Sequence, residues 1–361
     1  MNVRAVSAYA ELQARVRARY SRLLTVKTFY KLLQTPDFEA VLARLKKTAY
    51  GPYLESVDPQ DLTPRRATYQ LYRRLADAYG DLIDLPPAPG RWLLLQLWRL
   101  FEIDNLKATL RGIENGASWD QVLYLLAPRE RHALVSFEDM HTMLRRGDVA
   151  AALEVIRDTP YYDPLVHALN RYREEQTLFP LEVALDLDYR RGLWESIQKL
   201  RGRDQAEALR LVGTVLDSDN LLWAIRYRIY HHLSEQEIIN YTVPFGYRVE
   251  DWHIRAIAAG EQIAEVVRQI YPEFERLGDF ERAPGAALAR LEQLLNRRVV
   301  EICRQMFRRD PFHVGLPAAY LLLLEHEVED LTAVVEAKAS GLGGEMLYSV
   351  IDIVPLDSRM R

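Results

Sequence analysis

Apolar and polar residues follow one another along this chain with the spacing of helices. An apolar series between Tyr9 and Leu23 steps by three or four residues, and series of the same kind run along 181–197 and 288–306. Steps of this size place the apolar side chains on one stripe of a helix, whereas a half-buried strand needs alternation with a period of two. Sustained alternation of that kind is hard to find. The pattern therefore predicts an all-α protein.

Proline and glycine interrupt the helical pattern and predict where helices end. Such clusters occur at 84–90, 244–246 and 310–317. The segment 347–354 fits either a short strand or a last helical turn, and the sequence does not decide between them.

Three acidic phrases recur within the helical runs. EIDNLKATLRG begins at Glu102, DSDNLLWAIRY at Asp217 and EVEDLTAVVEA at Glu327, so the copies are spaced almost evenly along the chain. Each phrase reads acid, any residue, acid, Asn or Asp, and then Leu. We take the third and fourth positions as the signature of a structural repeat, and these are Asp104, Asn105, Asp219, Asn220, Glu329 and Asp330.

The sequence on either side of the phrases recurs as well. After them come SWDQVLYLLAP from Ser118, SEQEIINYTVP from Ser234 and GEMLYSVIDIVP from Gly344. Upstream, the segment from Leu32 to Leu54 aligns without gaps with the segment from Met143 to Leu165. This alignment pairs Asp37 with Asp148, Leu42 with Leu153, Thr48 with Thr159, Tyr50 with Tyr161 and Leu54 with Leu165.

The long spacing of the copies indicates a triplicated helical domain, because solenoid repeats are much shorter, at roughly 34 to 47 residues. We predict three units of similar helical structure, at 1–128, 129–244 and 245–361.

The composition excludes several classes of protein. The 361 residues include 47 basic and 51 acidic side chains, and this near balance gives no general attraction to nucleic acid. A single cysteine, Cys303, is too few for a disulfide framework and fits a reducing, cytosolic setting. No apolar run approaches the roughly 18 residues of a spanning helix, and the N-terminal MNVRAVSAYAELQARVR does not read as a signal peptide.

The acidic phrases raise the alternative of a magnesium site, as in all-helical enzymes that process a diphosphate, with Asp104, Asp217 and Asp219 as ligands. The spacing disfavours this alternative, because the two acids of each phrase are two residues apart and such residues do not share a face of a helix. We interpret the acids instead as groups that cap helices or tie neighbouring helices together. The histidines and Cys303 match no catalytic or zinc-binding pattern, so no catalytic residue, metal or cofactor is predicted.

The first helix carries a basic face that includes Arg15 and Arg19. Such a face suits anionic lipid head groups or acidic subunits, and it also suits solvent. Tyrosine is frequent, with 20 residues, and tyrosine and arginine are favoured at protein interfaces.

Four stretches, read in their order, carry a resemblance to a known family. These are YSRLL (20–24), YGPYL (50–54), DNLK (104–107) and PFHVGLPAAYLLLLEHEVEDLTAVVEAKASGL (311–342). Together with the triplication, they make the chain resemble the C subunit of archaeal and bacterial A/V-type rotary ATPases, which is similar to the d subunit of eukaryotic V-ATPases. One departure is Thr332, where members of the family often carry a basic residue.

The resemblance implies three similar all-helical domains arranged with pseudo-threefold symmetry as a funnel. It also implies a non-catalytic rotor part on the cytoplasmic face of the membrane, peripheral and without a cofactor. Such a part would stand on the membrane proteolipid ring, receive the central axle subunits D and F, and transmit torque for ATP-coupled ion transport. We predict interface contacts at Arg15, Arg19, Tyr50, Tyr53 and Tyr161.

Two rival hypotheses remain at this point. One is the magnesium-dependent diphosphate enzyme, and the other is a helical scaffold of a different complex. Ordered metal at the acids would favour the first, and the absence of proteolipid and axle subunits from a pull-down would favour the second.

Overall fold

A computed structural model describes residues 3–128, 131–274, 276–342, 347 and 351–352, with side chains from residue 7 onward. These residues form helices and connecting turns, without a strand among them, and this confirms the predicted all-α class. The predicted strand or helical turn at 347–354 lies largely outside the described residues. The α-helices are α1 (Val3–Tyr20), α2 (Val26–Leu33), α3 (Phe38–Leu45), α4 (Gly51–Leu54), α5 (Pro64–Leu82), α6 (Ala88–Glu114), α7 (Trp119–Leu123), α8 (Phe137–Arg146), α9 (Val149–Leu153), α10 (Tyr162–Glu175), α11 (Phe179–Gln198), α12 (Gly202–Ile229), α13 (Glu235–Asn240), α14 (Asp251–Ala259), α15 (Ile263–Ile270), α16 (Pro284–Met306) and α17 (Gly315–Ala339).

The three acidic phrases lie in α6, α12 and α17, which are 27, 28 and 25 residues long. They are the longest helices in the described part of the chain, since α16 follows with 23 residues. Many of their side chains are buried on several sides, as in helices at the centre of a core rather than at its surface.

Polar side chains start two of the shorter helices. Asp37 accepts the backbone N–H of Ala40 at 2.8 Å before α3, and Asp148 accepts that of Ala151 at 2.8 Å before α9. A side-chain acceptor at this position satisfies one of the amides that a helix start leaves without a carbonyl partner. The ungapped alignment of the two segments thus pairs two N-caps.

The same alignment pairs two further features. The hydroxyls of Thr48 and Thr159 each donate to the carbonyl three residues earlier, at 2.6 and 2.7 Å. Tyr50 and Tyr161 each stand directly before a helix with nearly the same backbone angles, φ −87° and ψ −12° for the first and φ −79° and ψ −18° for the second. The two segments therefore share their local structure as well as their sequence.

The segments that follow the first two phrases also correspond. Ser118 before α7 and Ser234 before α13 both form capping boxes, with Gln121 and Glu237 respectively. In such a box the two side chains satisfy each other's backbone amides. The third copy, from Gly344, lies mostly outside the described residues.

By their contacts the described residues form two compact units. One holds the chain up to Leu33, Ile197–Ala333 and the described residues after 343, and the other holds Gln34–Ser196 and Val334–Leu342. The phrase in α6 belongs to the second unit, whereas the phrase in α12 and the acidic start of the phrase in α17 belong to the first. The three repeat units with boundaries at 128 and 244, and their threefold arrangement, stay predictions.

No helix in the described part of the chain combines the length and apolar character needed to cross a bilayer.

Candidate functional site

Within each phrase, the first acid is buried and the third position is turned away from it. Glu102, Asp217 and Glu327 are 0%, 0% and 1% exposed, whereas Asp104 is exposed. Two residues along an α-helix correspond to a rotation of about 200°, so the two acids of a phrase cannot face the same neighbours. Asp219 is half-buried and Glu329 is exposed.

Glu102 on α6 binds the segment that leads into α8. Its Oε1 accepts the backbone N–H of Leu134 at 2.7 Å and that of Val135 at 3.0 Å, directly before the N-cap of α8. Its Oε2 accepts the hydroxyl of Tyr161 and also Nη1 of Arg99, the latter at 2.7 Å. We call this arrangement, a buried first acid that accepts backbone amides just before a helix, an amide clamp.

Asp217 on α12 forms the second amide clamp. Its two carboxylate oxygens accept the backbone N–H groups of Tyr247 at 2.8 Å, Arg248 at 2.8 Å and Val249 at 3.0 Å, the three residues before the N-cap of α14. The hydroxyl of Tyr271 adds a fourth bond at 3.2 Å. The Tyr271 hydroxyl thus takes the place in this clamp that the Tyr161 hydroxyl has in the first.

Glu327 on α17 forms the third amide clamp, and its partner is the beginning of the chain. The Glu327 Oε2 accepts the backbone N–H of Leu24 at 2.5 Å. Leu24 directly precedes Thr25, whose hydroxyl accepts the N–H of Thr28 at 3.2 Å at the start of α2. Again a buried acid of the phrase holds the entry to a short helix.

The fourth position of the phrase binds a second stretch of backbone. Asn105 accepts the N–H of Ala127 at 2.6 Å and donates to its carbonyl at 3.0 Å. Asn220 accepts the N–H of Val243 at 3.0 Å and donates to the carbonyl of Phe245 at 3.2 Å. An Asn side chain can replace a missing backbone partner in this way because it carries both an acceptor and a donor.

Asp330 takes this position in the third phrase. Its Oδ1 accepts the N–H of Asp352 at 3.0 Å. In all three phrases the backbone N–H that the fourth residue accepts lies 22 or 23 residues further along the chain. The first two phrases therefore bind their own helices to two later segments of the chain. The third phrase binds its helix to one later segment through Asp330 and to the beginning of the chain through Glu327.

These contacts show how the acids of the phrases are used. A carboxylate offers about four lone-pair sites, and the four bonds to Asp217 engage them. In the described residues, no group of three or more His, Cys, Asp or Glu side chains is placed to hold a metal ion. The arrangement fixes backbone segments to the helices that carry the phrases.

Burial governs the ionisation of the second clamp. It raises the pKa of Asp217 above its ordinary value, and the three backbone amides and the Tyr271 hydroxyl partly offset that rise. Burial beside the two carboxylates also raises the pKa of the Tyr161 and Tyr271 hydroxyls, which stay protonated as donors.

Sequence reasoning interpreted the acids of the phrases as groups that cap or tie helices, but it placed the repeat signature on the third and fourth positions and did not single out the first acids. A signal was present, because Glu102 lies three and four residues from Asn105 and Leu106 and therefore shares their buried face. The same test identifies Asp217 and Glu327.

The predicted interface residues lie in different surroundings. Arg15 is exposed and pairs with Glu11 at 2.7 Å, and Arg19, one turn further along the same face of α1, is half-buried. The hydroxyl of Tyr53, which is half-buried, donates to Asp77 at 2.9 Å. For these three residues an interface role stays a prediction.

Tyr50 and Tyr161 are buried, with 0% and 3% exposure. The guanidinium of Arg74 lies 4.4 Å from the centroid of the Tyr50 ring, and Tyr161 donates to Glu102. These internal contacts account for the burial of both rings, and an interface role for Tyr50 and Tyr161 stays a prediction.

The end of α1 packs on the end of α16. The rings of Tyr20 and Phe307 stack with centroids 3.8 Å apart, and Nη2 of Arg17 donates to the carbonyl of Phe307 at 3.3 Å. Arg308 and Arg309 follow directly along the chain. This contact fixes the end of α1 to the residue that directly precedes Arg308 in the chain.

Comparisons with known proteins agree on one family. The sequence model of the family described as ATP synthase (C/AC39) subunit matches residues 12–349. The chain is 25% identical to the C subunit of the A-type ATP synthase of Methanocaldococcus jannaschii, over 95% of this chain and 86% of that protein. It is 25% identical to the protein of the same name from Halorubrum lacusprofundi, over 94% of this chain and 96% of that protein. The protein of that name from Methanothermobacter thermautotrophicus is 24% identical, over 91% of this chain and 84% of its own length.

Proposed function

The chain belongs to the ATP synthase (C/AC39) subunit family, and from this premise we propose that it is a central-stalk subunit of an A-type ATP synthase. In this proposal it is a non-catalytic socket between the axle subunits D and F and the membrane proteolipid ring, on the cytoplasmic face of the membrane. It transmits torque between the two and needs no cofactor.

The observation that carries the proposal is the order of the amide clamps along the chain. Glu102 precedes the predicted boundary at 128 and binds residues after it, and Asp217 does the same at 244. Glu327 lies in the last predicted unit and binds Leu24 in the first. The clamps therefore form a closed cycle, in which each predicted unit binds the backbone that leads into a helix of the next unit, and the last unit binds the first.

A closed cycle of this kind supports a pseudo-threefold funnel. Three similar units that hold one another in the same way place equivalent surfaces around one axis. We take this arrangement as part of the proposal, together with the unit boundaries.

Torque transmission requires that helices do not slip against one another under load. A buried carboxylate that accepts several backbone amides resists such slippage, because moving it would leave charged and polar groups without partners in an apolar surrounding. The clamps therefore suit a part that works by stiffness.

The decisive experiment is affinity purification of the tagged chain from native membranes in mild detergent. We expect the axle subunits D and F and the proteolipid to co-purify in fixed ratio. Recovery of the chain without any of them would contradict the proposal and favour a scaffold of another complex.

Charge reversal tests the interface. Arg15→Glu combined with Arg19→Glu should lower the recovery of at least one stalk partner, because a charge at an interface steers association and excludes wrong partners. Arg282→Glu is a matched control, since Arg282 is 91% exposed and lies away from α1 in the sequence. Equal recovery for both variants would remove the predicted roles of Arg15 and Arg19 while leaving the proposed subunit identity intact.

A further inference from the structure

The beginning of the chain carries an excess of positive charge that the rest of the chain does not share. Residues 1–33 hold seven basic side chains and one acidic side chain, Glu11, whereas the whole chain holds 47 basic and 51 acidic ones. The residues after 33 therefore carry the negative excess of the protein. A charge asymmetry of this kind within one chain is typical of a segment that meets an anionic surface.

The apolar face of α1 is packed on protein, and its charged residues lie on the remaining faces. Tyr9, Leu12 and Val16 are buried, with 4%, 2% and 0% exposure. The hydroxyl of Tyr9 donates to Asp204 on α12 at 2.8 Å. Since the apolar stripe of α1 is covered in this way, the helix offers charged groups to its surroundings and no apolar face.

Three exposed arginines lie where the end of α1 meets the end of α16. Nη2 of Arg17 donates to the backbone carbonyl of Phe307 at 3.3 Å, and a carbonyl is a neutral acceptor that leaves the guanidinium charge uncompensated. Arg308 and Arg309 directly follow Phe307, and both are exposed.

Two exposed lysines, Lys27 and Lys31, lie one turn apart on α2. Lys27 is seven residues from Tyr20, whose ring stacks on Phe307, so the Cα atoms of Lys27 and Tyr20 lie within about 25 Å of each other. We use the term cationic patch for these five exposed side chains, Arg17, Lys27, Lys31, Arg308 and Arg309.

The positive charge of the cationic patch is not balanced locally. Among the described residues, no carboxylate lies within ion-pair distance of its five side chains. The two acids nearest to it in the sequence have other partners, because Glu11 pairs with Arg15 and Asp310 pairs with Arg203. An uncompensated group of cations attracts an anionic surface, and salt screens this attraction.

The composition of the cationic patch favours a lipid surface over an acidic protein. Specific protein interfaces have an apolar core with aromatic anchors, and lysine is depleted in them. Within the described residues 7–33 and 307–309, no large apolar side chain is exposed. Long cationic side chains without such an anchor suit phosphate groups spread over a plane, as in the head groups of a bilayer.

We propose that the cationic patch binds the anionic phospholipid head groups of a membrane surface. Groups of roughly four to eight Lys or Arg side chains are typical of such contacts, and each contributes about fivefold to membrane partition. Because the apolar face of α1 is packed on protein, the contact is electrostatic and does not insert into the acyl chains. This inference goes beyond the proposed stalk function and uses it only for the location of the chain beside a membrane.

The test is co-sedimentation of the purified full chain with lipid vesicles. One set of vesicles contains phosphatidylcholine alone, and the other also contains about 30% phosphatidylglycerol, which supplies negative head groups. We expect binding to the second set alone at about 50 mM salt, and binding at least about fivefold weaker at about 200 mM salt.

Two pairs of substitutions connect binding to the cationic patch. Arg308→Gln with Arg309→Gln, and separately Lys27→Gln with Lys31→Gln, should each weaken binding about 25-fold, because each pair removes two charges. The four side chains are exposed, so both variants should fold, and circular dichroism checks this.

The matched control is Arg268→Gln with Arg282→Gln. Both arginines are exposed, Arg282 at 91%, and the pair removes the same charge from positions outside the cationic patch. This variant should bind the anionic vesicles within about twofold of the wild type, since charges beyond a Debye length of the membrane are screened.

Several results would overturn the inference. These are no binding to the anionic vesicles, equal binding to both sets of vesicles, unchanged binding in either patch variant, and equal effects of patch and control variants. Binding that persists at about 1 M salt would also overturn it, because apolar insertion is not screened. If the patch variants lose stalk subunits but keep their vesicle binding, the cationic patch is a protein interface and the lipid proposal is wrong. Co-purification of stalk subunits with the wild-type chain tests the proposed function separately, so either proposal can fail without the other.

Discussion

The first and second amide clamps hold backbone in the same way but balance their buried charge differently. Glu102 binds two amides, a tyrosine hydroxyl and Arg99, which is only 11% exposed. Asp217 binds three amides and a tyrosine hydroxyl, and the nearby arginines lie on the Tyr271 ring instead. A charge partner compensates the first carboxylate, whereas oriented dipoles compensate the second. The repeat thus preserves the contact to backbone more strictly than the electrostatics around it.

The largest expected effect comes from neutralising the two acids with isosteres. Glu102→Gln leaves Arg99 buried beside a neutral group and should cost about 3–5 kcal/mol of unfolding free energy. Asp217→Asn breaks a hydrogen-bond arrangement without stranding a bonded cation and should cost about 1–3 kcal/mol. Urea unfolding of both variants measures the difference.

Asp104→Asn is the control for this pair, because Asp104 lies on the same phrase and its side chain is exposed, while desolvation raises the pKa of its carboxyl, so that neutralising it should not destabilise the fold. Its effect should stay within about 0.5 kcal/mol. If Asp217→Asn costs more than Glu102→Gln, the distinction between charge pairing and dipole compensation is wrong.

A glycine distinguishes the second clamp further. A Cβ at Gly246 would overlap Oδ1 of Asp217, and four hydrogen bonds hold that carboxylate in place. Gly246→Ala should therefore displace the carboxylate and cost about 1–3 kcal/mol, measured by thermal and urea unfolding. Gly80→Ala is the comparison, since its Cβ would meet only the Arg131 side chain at 3.4 Å. Equal stability of the two variants would show that the loop at 246 moves freely.

The sequence predicts the elements well because they depend on local chemistry. Helical spacing predicts the all-α class. The ungapped alignment pairs Asp37 with Asp148 and Tyr50 with Tyr161, and the structure shows that the first pair are N-caps and that the second pair directly precede helices. Caps and helix starts are determined by neighbouring residues, so a one-dimensional alignment can find them.

The clamp contacts are harder to predict because their partners are distant in sequence. Asp104 and Glu102 both fit the acidic phrase, and only the packing around α6 shows which is buried. The bond from Leu24 to Glu327 spans 303 residues, and aligning the copies compares equivalent positions rather than positions in contact. The frequency of tyrosine predicts an interface at Tyr50 and Tyr161 but does not show that both rings are buried or that the Tyr161 hydroxyl donates to Glu102.

The tyrosine hydroxyls give a smaller test of the comparison. Tyr161→Phe removes a donor that shares an oxygen of Glu102 with Arg99 and should cost about 1.5–3 kcal/mol, as for a hydrogen bond to a charged group. Tyr271→Phe removes a longer bond, 3.2 Å, and should cost about 1 kcal/mol. Each variant keeps the ring, so lost packing does not enter. A larger loss at Tyr271 would mean that the hydroxyl is the main support of Asp217.

The smallest expected effect is a pH dependence that belongs to the second clamp. Burial raises the pKa of Asp217 above 3.8, so the folded chain takes up a proton there before the unfolded chain does. Stability contributed by this group therefore falls as the pH rises from about 4 through the folded-state pKa. We therefore expect the free energy of unfolding of the wild type to exceed that of Asp217→Asn by less as the pH rises. Urea unfolding at successive pH values measures this difference. Asp352, whose pKa burial raises to about 6, has the same sign but is present in both proteins and cancels in the difference. An advantage that grows with pH would mean that the three amides outweigh burial, and the carboxylate would then be held ionised by dipoles alone.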